Sequence, residues 1–508
     1  MAQGVLPFQI EPEYSESGVT SFAGLPAYLE LVHVLGLGSS IASHLERPGK
    51  QGYTDAQFLL PLILMNLAGG DCVADLERLN DDPGFSRILE RVELHHLGKD
   101  EKRKLRTRWR KRKERLIPAA TTVFKYLESY CVPEEADRGY GSAFIPPPSD
   151  ALQGLRRVNA DLLAEVCSRE GQEQMTLDMD ATIKAVEKKE ALCCYKGFPS
   201  FQPLNVWCDE LEVMVHSEFR DGNVPAAFEN LRVLKESLEM LPGRVKKVQF
   251  RSDTAGYQME LLSYLAEGKH PRFGVIDFAI GAPVTDALRA EVQRVPKEEW
   301  KRLQVQDKKT KEWHNTSYEW AEVVFVPNWV AAKASNPEYR YIVTREALHQ
   351  QPLPGIENEQ LILDLGFQPE VISGVHYKLY AMVTNLKGKG DEIIRWYRKR
   401  CGKSEQAHTI MKHDLAGSQL PSKRFGVNAA WWQIMIIALN LNSAMKRLVL
   451  APTLGKQWLK KRLKAIRYHI ICLPGRVVNH ARLLRIKIGG VAARSRLCEI
   501  RKRILALA

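Results

Sequence analysis

Between residues 175 and 280 the hydrophobic pattern runs strand, strand, strand, helix, strand, helix, strand, and this order predicts an α/β protein built on an RNase H-like mixed sheet. Hairpin-connected strands followed by crossover helices exclude most other α/β arrangements. Two further observations shape the expectation. A β-rich stretch with four tryptophans (Trp300, Trp313, Trp320, Trp329) interrupts the core over residues 283–374. Dense positive charge is confined to one block before the core and one after it.

The elements follow in order. Residues 1–20 read as irregular. From Leu25 to about Leu89 apolar residues recur at spacings of three and four, as in PAYLELVHVLGL and DAQFLLPLILMNLA, so helices are expected, with Asp55 and Asp71 as N-terminal caps and a break at Gly69-Gly70. The short helix expected in Ile117–Tyr130 behind a basic arm suits a helix-turn-helix reader of DNA or a helical bundle with a basic surface. Residues 1–131 thus form a helical N-terminal domain for DNA binding or dimerisation, and 132–150, with Pro146-Pro147-Pro148, a linker. The first part of the catalytic core spans 151–282. It holds a helix over Ala151–Arg169 and strands at Met175–Lys184, Phe201–Cys208, Glu212–Phe219, Lys247–Ser252 and Phe273–Ile280, with helices at Pro225–Leu241 and Tyr257–Glu267. After the insertion, Tyr377–Thr384 is expected to close the strands onto the core, whose second part covers 375–443. Residues 444–508 form a basic helical region for DNA binding or dimerisation.

The 508 residues are too many for one ordinary core, and about three domains are expected. No basic n-region precedes an apolar run at the N-terminus, and the longest apolar run, Ala429–Leu439, is short of the ~20 residues a membrane span needs. Nine cysteines lack metal-ligand spacing and suit a reducing compartment, so a cytoplasmic, nucleoid-associated protein is expected. The net charge is +13, but Lys102–Arg115 alone carries +9 and Lys446–Arg503 carries +16, so the remainder is net acidic. Such segregation points to a polyanionic partner, nucleic acid ahead of a membrane surface. The candidate phosphate contacts are Arg106, Arg108, Arg110, Lys111 and Arg112 in the first block and Lys460, Lys461 and Arg462 in the second.

The chemistry centres on Met175–Lys184 (MTLDMDATIK). Apolar Met175, Leu177 and Met179 alternate with Thr176, Asp178 and Asp180, which puts two carboxylates on one strand face. In an RNase H-like sheet the first and fourth strands are neighbours, so Asp180 is expected to meet Asp253 across 73 positions. With a third acid from the helix after the insertion, Glu405 in YRKRCGKSEQAHTIMK, such carboxylates can hold two divalent ions ~3.5–4 Å apart for in-line displacement at phosphorus. Mg²⁺ suits the site because it keeps waters and shares phosphate oxygens, and Mn²⁺ is expected to substitute. Asp178 is either an outer-shell group or a solvated neighbour.

These residues resemble the DDE-type transposases of bacterial insertion sequences, in the group with a Y-R-E-K signature. Within it the chain is most similar to the insertion-sequence family numbered thirteen-eighty, related to the piggyBac elements. LDMDAT and FRSDTAGY match the two aspartate motifs at Asp180 and Asp253, while Tyr397, Arg400, Glu405 and Lys412 answer to the signature. TSFAGLPAYLE, LNDDPGFSRIL and LPSKRFGVNAAWWQIMIIALNL also resemble this family. One departure is clear: four residues, not three, separate Arg400 from Glu405. The resemblance implies a homodimer that binds the terminal inverted repeats in double-stranded DNA, cuts the element ends and joins them to target DNA by a cut-and-paste route. Tyr397, Arg400 and Lys412 would contact DNA, and an insertion tryptophan (Trp313, Trp320 or Trp329) could stack on a flipped base or pack the insertion's own small core. A nuclease or resolvase without strand transfer, or an inactive DNA-binding derivative, are the alternative readings.

Overall fold

The computed structural model describes residues 18–45, 52–95, 97–112, 115–188, 190–307, 310–327, 339–348, 370–372, 375–480 and 483–508; the side chains of 108, 110–112, 403–405 and 418 lie outside that description. The chain divides into two units. One comprises the segments up to Arg138, Pro146–Val166 and Thr409 onward; the other comprises Gly139–Ile145 and Cys167–His408.

The first unit is mainly helical and is built on Phe425–Ala444, a helix whose every residue is buried. It runs on to Leu454, giving 30 residues, long and apolar enough by composition to cross a membrane, yet 89% of its most apolar window is buried within the protein. The run Ala429–Leu439 therefore understates it, because the flanking polar residues Asn428, Asn440 and Asn442 are carried inside by partners. Tyr28 Oη donates to Asn442 Oδ1 at 3.0 Å, and Asn440 Nδ2 donates to Asn159 Oδ1 at 2.7 Å. Helices Asp55–Ala68 and Ala120–Glu128 pack on it. The first starts at Thr54, whose hydroxyl accepts from Gln57 N at 3.3 Å in a capping box, so Asp55 is the first helical residue and not the cap. The helix behind the basic arm turns Val123, Tyr126 and Leu127 inward, with Tyr126 stacked on Phe58 at 4.1 Å. The C-terminal region, expected to be helical, contains a hairpin, Gly475–His480 with Leu483–Ile488, and Val19–Thr20 pairs with its first strand. Leu484, Ile486 and Ile488 alternate with Arg485 and Lys487, and Gly489-Gly490 ends the run; that period of two decides the local structure.

The second unit holds one ten-stranded mixed sheet. Its core strands are β1 (Gln174–Ala181), β2 (Leu204–Cys208), β3 (Val213–Glu218), β4 (Lys247–Ser252) and β5 (Asp277–Ala282), in the order β3-β2-β1-β4-β5. Helices α1 (Asn230–Glu239) and α2 (Met259–Ala266) connect β3 to β4 and β4 to β5. β1 pairs antiparallel with β2 and parallel with β4, and β4 pairs parallel with β5. This is the RNase H-like order expected.

The interruption after β5 is no separate body. Strands β6 (Lys301–Gln306), β7 (Trp313–Val323), β8 (Arg340–Ala347) and β9 (Val375–Thr384) continue the same sheet in the order β5-β9-β8-β7-β6, all antiparallel. A short strand, Glu370–Ile372, pairs with the outer half of β9. Trp320 shares a core with Ala279 of β5, Ile342, Met382, Ile393 and Ile394, so the insertion's tryptophan packs the common core and not one of its own. Helix α3 (Gly390–Arg398) lies so close that a Cβ on Gly390 would fall 2.3 Å from the Trp320 ring. Trp329 lies outside the described residues.

Candidate active site

The last paired residues of β1 and β4 are Met179 and Ser252, so Asp180 and Asp253 follow one step beyond, side by side at the carboxyl ends of two parallel strands. Carboxyl ends of parallel strands are where open α/β sheets bind ligands. Asp180 stays partly open, with 21% of its side chain exposed. Asp253 begins a tight turn, Thr254–Gly256, and its Oδ1 accepts from Ala255 N at 3.0 Å, which fixes the carboxylate's rotamer. On the next strand Gly281 allows close approach: a Cβ there would lie 3.0 Å from Thr254 N, 3.0 Å from Tyr397 Oη and 3.2 Å from Asp253 C.

Helix α3 brings Tyr397 to the same place. Its hydroxyl donates to Ser252 O at 3.2 Å, and burial pushes the phenol pKa up while Arg400 pulls it the other way. Arg400 Nη1 lies 3.7 Å from Asp180 Oδ2, and its guanidinium 5.7 Å from the centre of the Tyr397 ring. Burial works against the charge on Arg400, but Tyr397, Asp180 and Asp253 outweigh it, so the guanidinium holds its proton more tightly than usual.

Glu405 belongs to α4 (Arg400–Thr409), and its side chain lies outside the described residues. The backbone between Arg400 and Glu405 is not one helix: Cys401 has ψ 126° and Gly402 has φ +91°, a left-handed conformation that glycine adopts readily. In an unbroken helix one extra residue would turn everything beyond it by ~100°. Here the longer spacing coincides with a break. Beyond it His408 is fastened to the sheet, its Nε2 3.3 Å from Asn205 Nδ2, and Asn205 Oδ1 accepts from Ser217 Oγ at 2.6 Å. Asn205 is the β2 partner of Asp180. Asp178 is not solvated. It is fully buried in a forked ion pair with Arg251, its opposite number on β4, because both faces of the strand are covered at that depth. Sequence reasoning missed Arg251, Asn205, His408 and Gly281. The signal for Arg251 was present, since it stands two residues before Asp253 as Asp178 stands two before Asp180.

The other predicted contacts belong to the helical unit. Lys412 sits in the π-helical segment Ile410–Asp414 of that unit. Arg106 is in helix Lys99–Arg112, its Nε 2.9 Å from Glu90; Arg108, Arg110, Lys111 and Arg112 share that helix, their side chains outside the description. Lys460 and Lys461 are exposed. Arg462 is half-exposed but engaged, with Nη2 2.7 Å from buried Asp414 Oδ1, which also commits Asp414 to a structural pair. A further group, Asp71, Cys72 and Asp75, has three ligand atoms close together. Asp75 Oδ2 there accepts from Asp71 N and Cys72 N at 2.9 and 3.2 Å, which makes it a turn cap.

Two strand-end carboxylates beside an arginine and a partly buried tyrosine suit phosphoryl transfer, and the family model described as transposase DDE domain group 1 matches residues 9–507. The chain belongs to the DDE transposases. It is therefore a DNA-cleaving and DNA-joining enzyme, of a family that generally works with divalent metal ions. No curated protein matches it. Among solved structures, the chain is similar to a piggyBac transposase synaptic complex with hairpin DNA, at 9% identity and a TM-score of 0.40 over 96% of this chain and 87% of that one; a likeness so loose adds nothing to the assignment. The donors at the transposase's strand ends fit a hard cation. Asp180 and Asp253 offer carboxylate oxygens, which Mg²⁺ and Mn²⁺ prefer, and Asp180 remains accessible.

Proposed function

We propose that this transposase belongs to the Y-R-E-K group, in the insertion-sequence family numbered thirteen-eighty, and moves its element by a cut-and-paste route. It binds the terminal inverted repeats as a homodimer, cuts the element ends and joins the freed 3′-hydroxyls to target DNA in the bacterial cytoplasm. Asp180, Asp253 and Glu405 hold Mg²⁺, or Mn²⁺ in its place. The observation that carries this reading is the neighbouring placement of Asp180 and Asp253 beyond the paired ends of β1 and β4, with Arg400 3.7 Å from Asp180. When bound, a divalent metal pair supplies activation of the attacking oxygen and stabilisation of the leaving one.

The chain's own residues orient the DNA. Arg400, kept charged by its acidic neighbours, offers a planar fork to a phosphate at the mouth of the site. Tyr397, partly buried and protonated, holds α3 against the end of β4 through Ser252 O. The two basic blocks, with Lys460 and Lys461 exposed in the second, grip DNA phosphates.

The test supplies purified protein with Mg²⁺ or Mn²⁺ and linear DNA carrying the element's ends, and scores nicked and joined products. Wild type is expected to give both, and Asp180→Ala, Asp253→Ala and Glu405→Ala neither. Cleavage that persists in Asp180→Ala or Asp253→Ala would remove this site from the reaction, and persistence in Glu405→Ala would call for another third acid. Nicking without joining would reduce the activity to that of a nuclease.

A further inference from the structure

Directly beneath the two strand-end aspartates lies a second cross-strand pair. Strand alternation puts Asp178 on the same face as Asp180 and Arg251 on the same face as Asp253, and the β1–β4 register sets Asp178 opposite Arg251. The second pair is thus one pleat, ~7 Å, behind the first. Both side chains are completely buried. Arg251 Nε donates to Asp178 Oδ1 at 2.6 Å and Nη2 donates to Oδ2 at 2.8 Å, a parallel fork that fixes the guanidinium plane. Nη2 also lies 3.2 Å from Asp209 Oδ2, at the end of β2.

The remaining nitrogen of the guanidinium reaches the helix α3. Nη1 donates to Trp396 O at 2.7 Å, and the guanidinium stands 5.1 Å from the centre of the Trp396 ring. Trp396 is in the last turn of α3, where its carbonyl also accepts from Lys399 N at 3.2 Å and the helix dipole is negative, so a cation is favoured there. The next residue is Tyr397, and Arg400 follows three later. One arginine therefore ties β1, β4 and the end of β2 to the helix end that delivers Tyr397 and Arg400 to Asp180 and Asp253.

Stability alone is a poor reason for this arrangement. Burying two charges costs several kcal/mol per ion, and apolar residues of similar volume often serve a core as well or better. What apolar residues would not supply is orientation. We propose that Asp178 and Arg251 are positioning residues, a clamp that sets the end of α3, and with it Tyr397 and Arg400, at a fixed distance from the carboxylates of Asp180 and Asp253. The inference rests on assigning those two aspartates to the catalytic centre.

The test compares the volume-conserving double variant Asp178→Leu/Arg251→Met with Asp178→Asn and Arg251→Lys in the full chain. Each is measured for melting temperature, affinity for element-end DNA, cleavage kcat and KM, and the Mg²⁺ concentration giving half-maximal cleavage. The double variant is expected to melt no lower than wild type and to bind DNA normally, with KM unchanged and kcat reduced ~10²-fold, the loss an ~1 Å misplacement brings. Its half-saturating Mg²⁺ is expected to rise ~10-fold, as for lost outer-shell support. Arg251→Lys, which keeps the charge but not the fork, is expected not to restore kcat. A folded double variant that cleaves at the wild-type rate overturns the clamp. So do losses in all three variants that only track the unfolded fraction, and this holds even if the double variant does not fold, because the single variants report it. Failure of the underlying assignment is separate: Asp180→Ala would then still cleave, whereas failure of the clamp alone leaves Asp180→Ala inactive.

Discussion

Gly281→Ala is the smallest change that strains the site without touching a carboxylate. Gly281 follows Ile280, the β5 partner of Ser252, so it stands beside the turn that holds Asp253. An added Cβ would meet Thr254 N and Tyr397 Oη at 3.0 Å and Asp253 C at 3.2 Å, where ordinary contact begins near 3.4 Å. Two of those atoms are backbone, so the Asp253 turn and the Tyr397 ring must move apart by about 0.4 Å, on the scale of other tight core insertions. Overpacking of this kind costs ~1–3 kcal/mol. For a domain of this size that lowers the melting temperature by roughly 2–12 °C. If ~1 Å of misplacement costs ~10²-fold in rate, a displacement near half of that costs about tenfold. The assay is cleavage of element-end DNA at a temperature where the variant is fully folded, with Gly243→Ala as control, since a Cβ there meets nothing within 4 Å. Gly243→Ala is expected to cleave at the wild-type rate. Wild-type cleavage and melting in Gly281→Ala would refute the claim that this packing sets the spacing between Asp253 and Tyr397.

Two tryptophans of the inserted strands should separate stability from binding. Trp320→Ala, at 8% exposure in the shared core, is expected to cost ~3–5 kcal/mol in denaturant unfolding. Trp313 is 51% exposed with Arg395 over its ring, so Trp313→Ala should leave stability within ~1 kcal/mol and weaken single-stranded DNA binding by ~1–3 kcal/mol in fluorescence anisotropy. Acid stability should depend on Glu236: burial pushes its carboxyl up, but His216 at 3.1 Å and then Arg232 at 2.6 Å outweigh that and bring the pKa down to about 2. A depressed carboxyl pKa stabilises the fold above the unfolded value of ~4.3 and loses that contribution as pH falls through the folded value, so the melting-temperature gap between wild type and Glu236→Gln should be full at pH 6, narrow below pH ~4.3 and close only below the folded pKa of about 2. Lys460→Ala/Lys461→Ala should weaken binding of all DNA sequences alike and reduce the slope of log affinity against log salt by ~2 if both lysines touch phosphate.

Strand order was legible because it rests on local patterns: alternation in Met175–Met179, the punctuation at Pro242-Gly243, and apolar runs such as Phe278–Ile280 that only a covered strand tolerates. Asp180 and Asp253 followed from that order. Facts that depend on distant partners were not legible. Asp178 looks like any polar strand residue until Arg251 is opposite it, and nothing near either one marks the pair as buried. The return of Tyr377–Thr384 to the core was expected, but its pairing with β5, which makes the inserted strands one continuous sheet with the core, has no local signature. The hairpin at Gly475–Ile488 is a different kind of miss: its alternation was present, but its basic residues drew attention to charge ahead of period. Between Arg400 and Glu405 the residues gave the spacing, but only the backbone angles at Cys401 and Gly402 show the break there.

The shared ladder between β5 and β9 also bears on how the protein is made. β5 is buried along nearly its whole length, yet its second neighbour is encoded roughly a hundred residues downstream, the kind of separation that slows sheet formation. The helical unit waits longer still, since Tyr28 finds its partner Asn442 across 414 positions. At ~5–20 residues per second a ribosome needs roughly 20–80 s to cover that interval. Throughout it, apolar helices and an open sheet edge stand without their partners, so the nascent chain exposes surface of the kind that invites aggregation until nearly all of it has emerged. The threading of the chain, more than the strength of any one contact, thus decides when its apolar surfaces become covered.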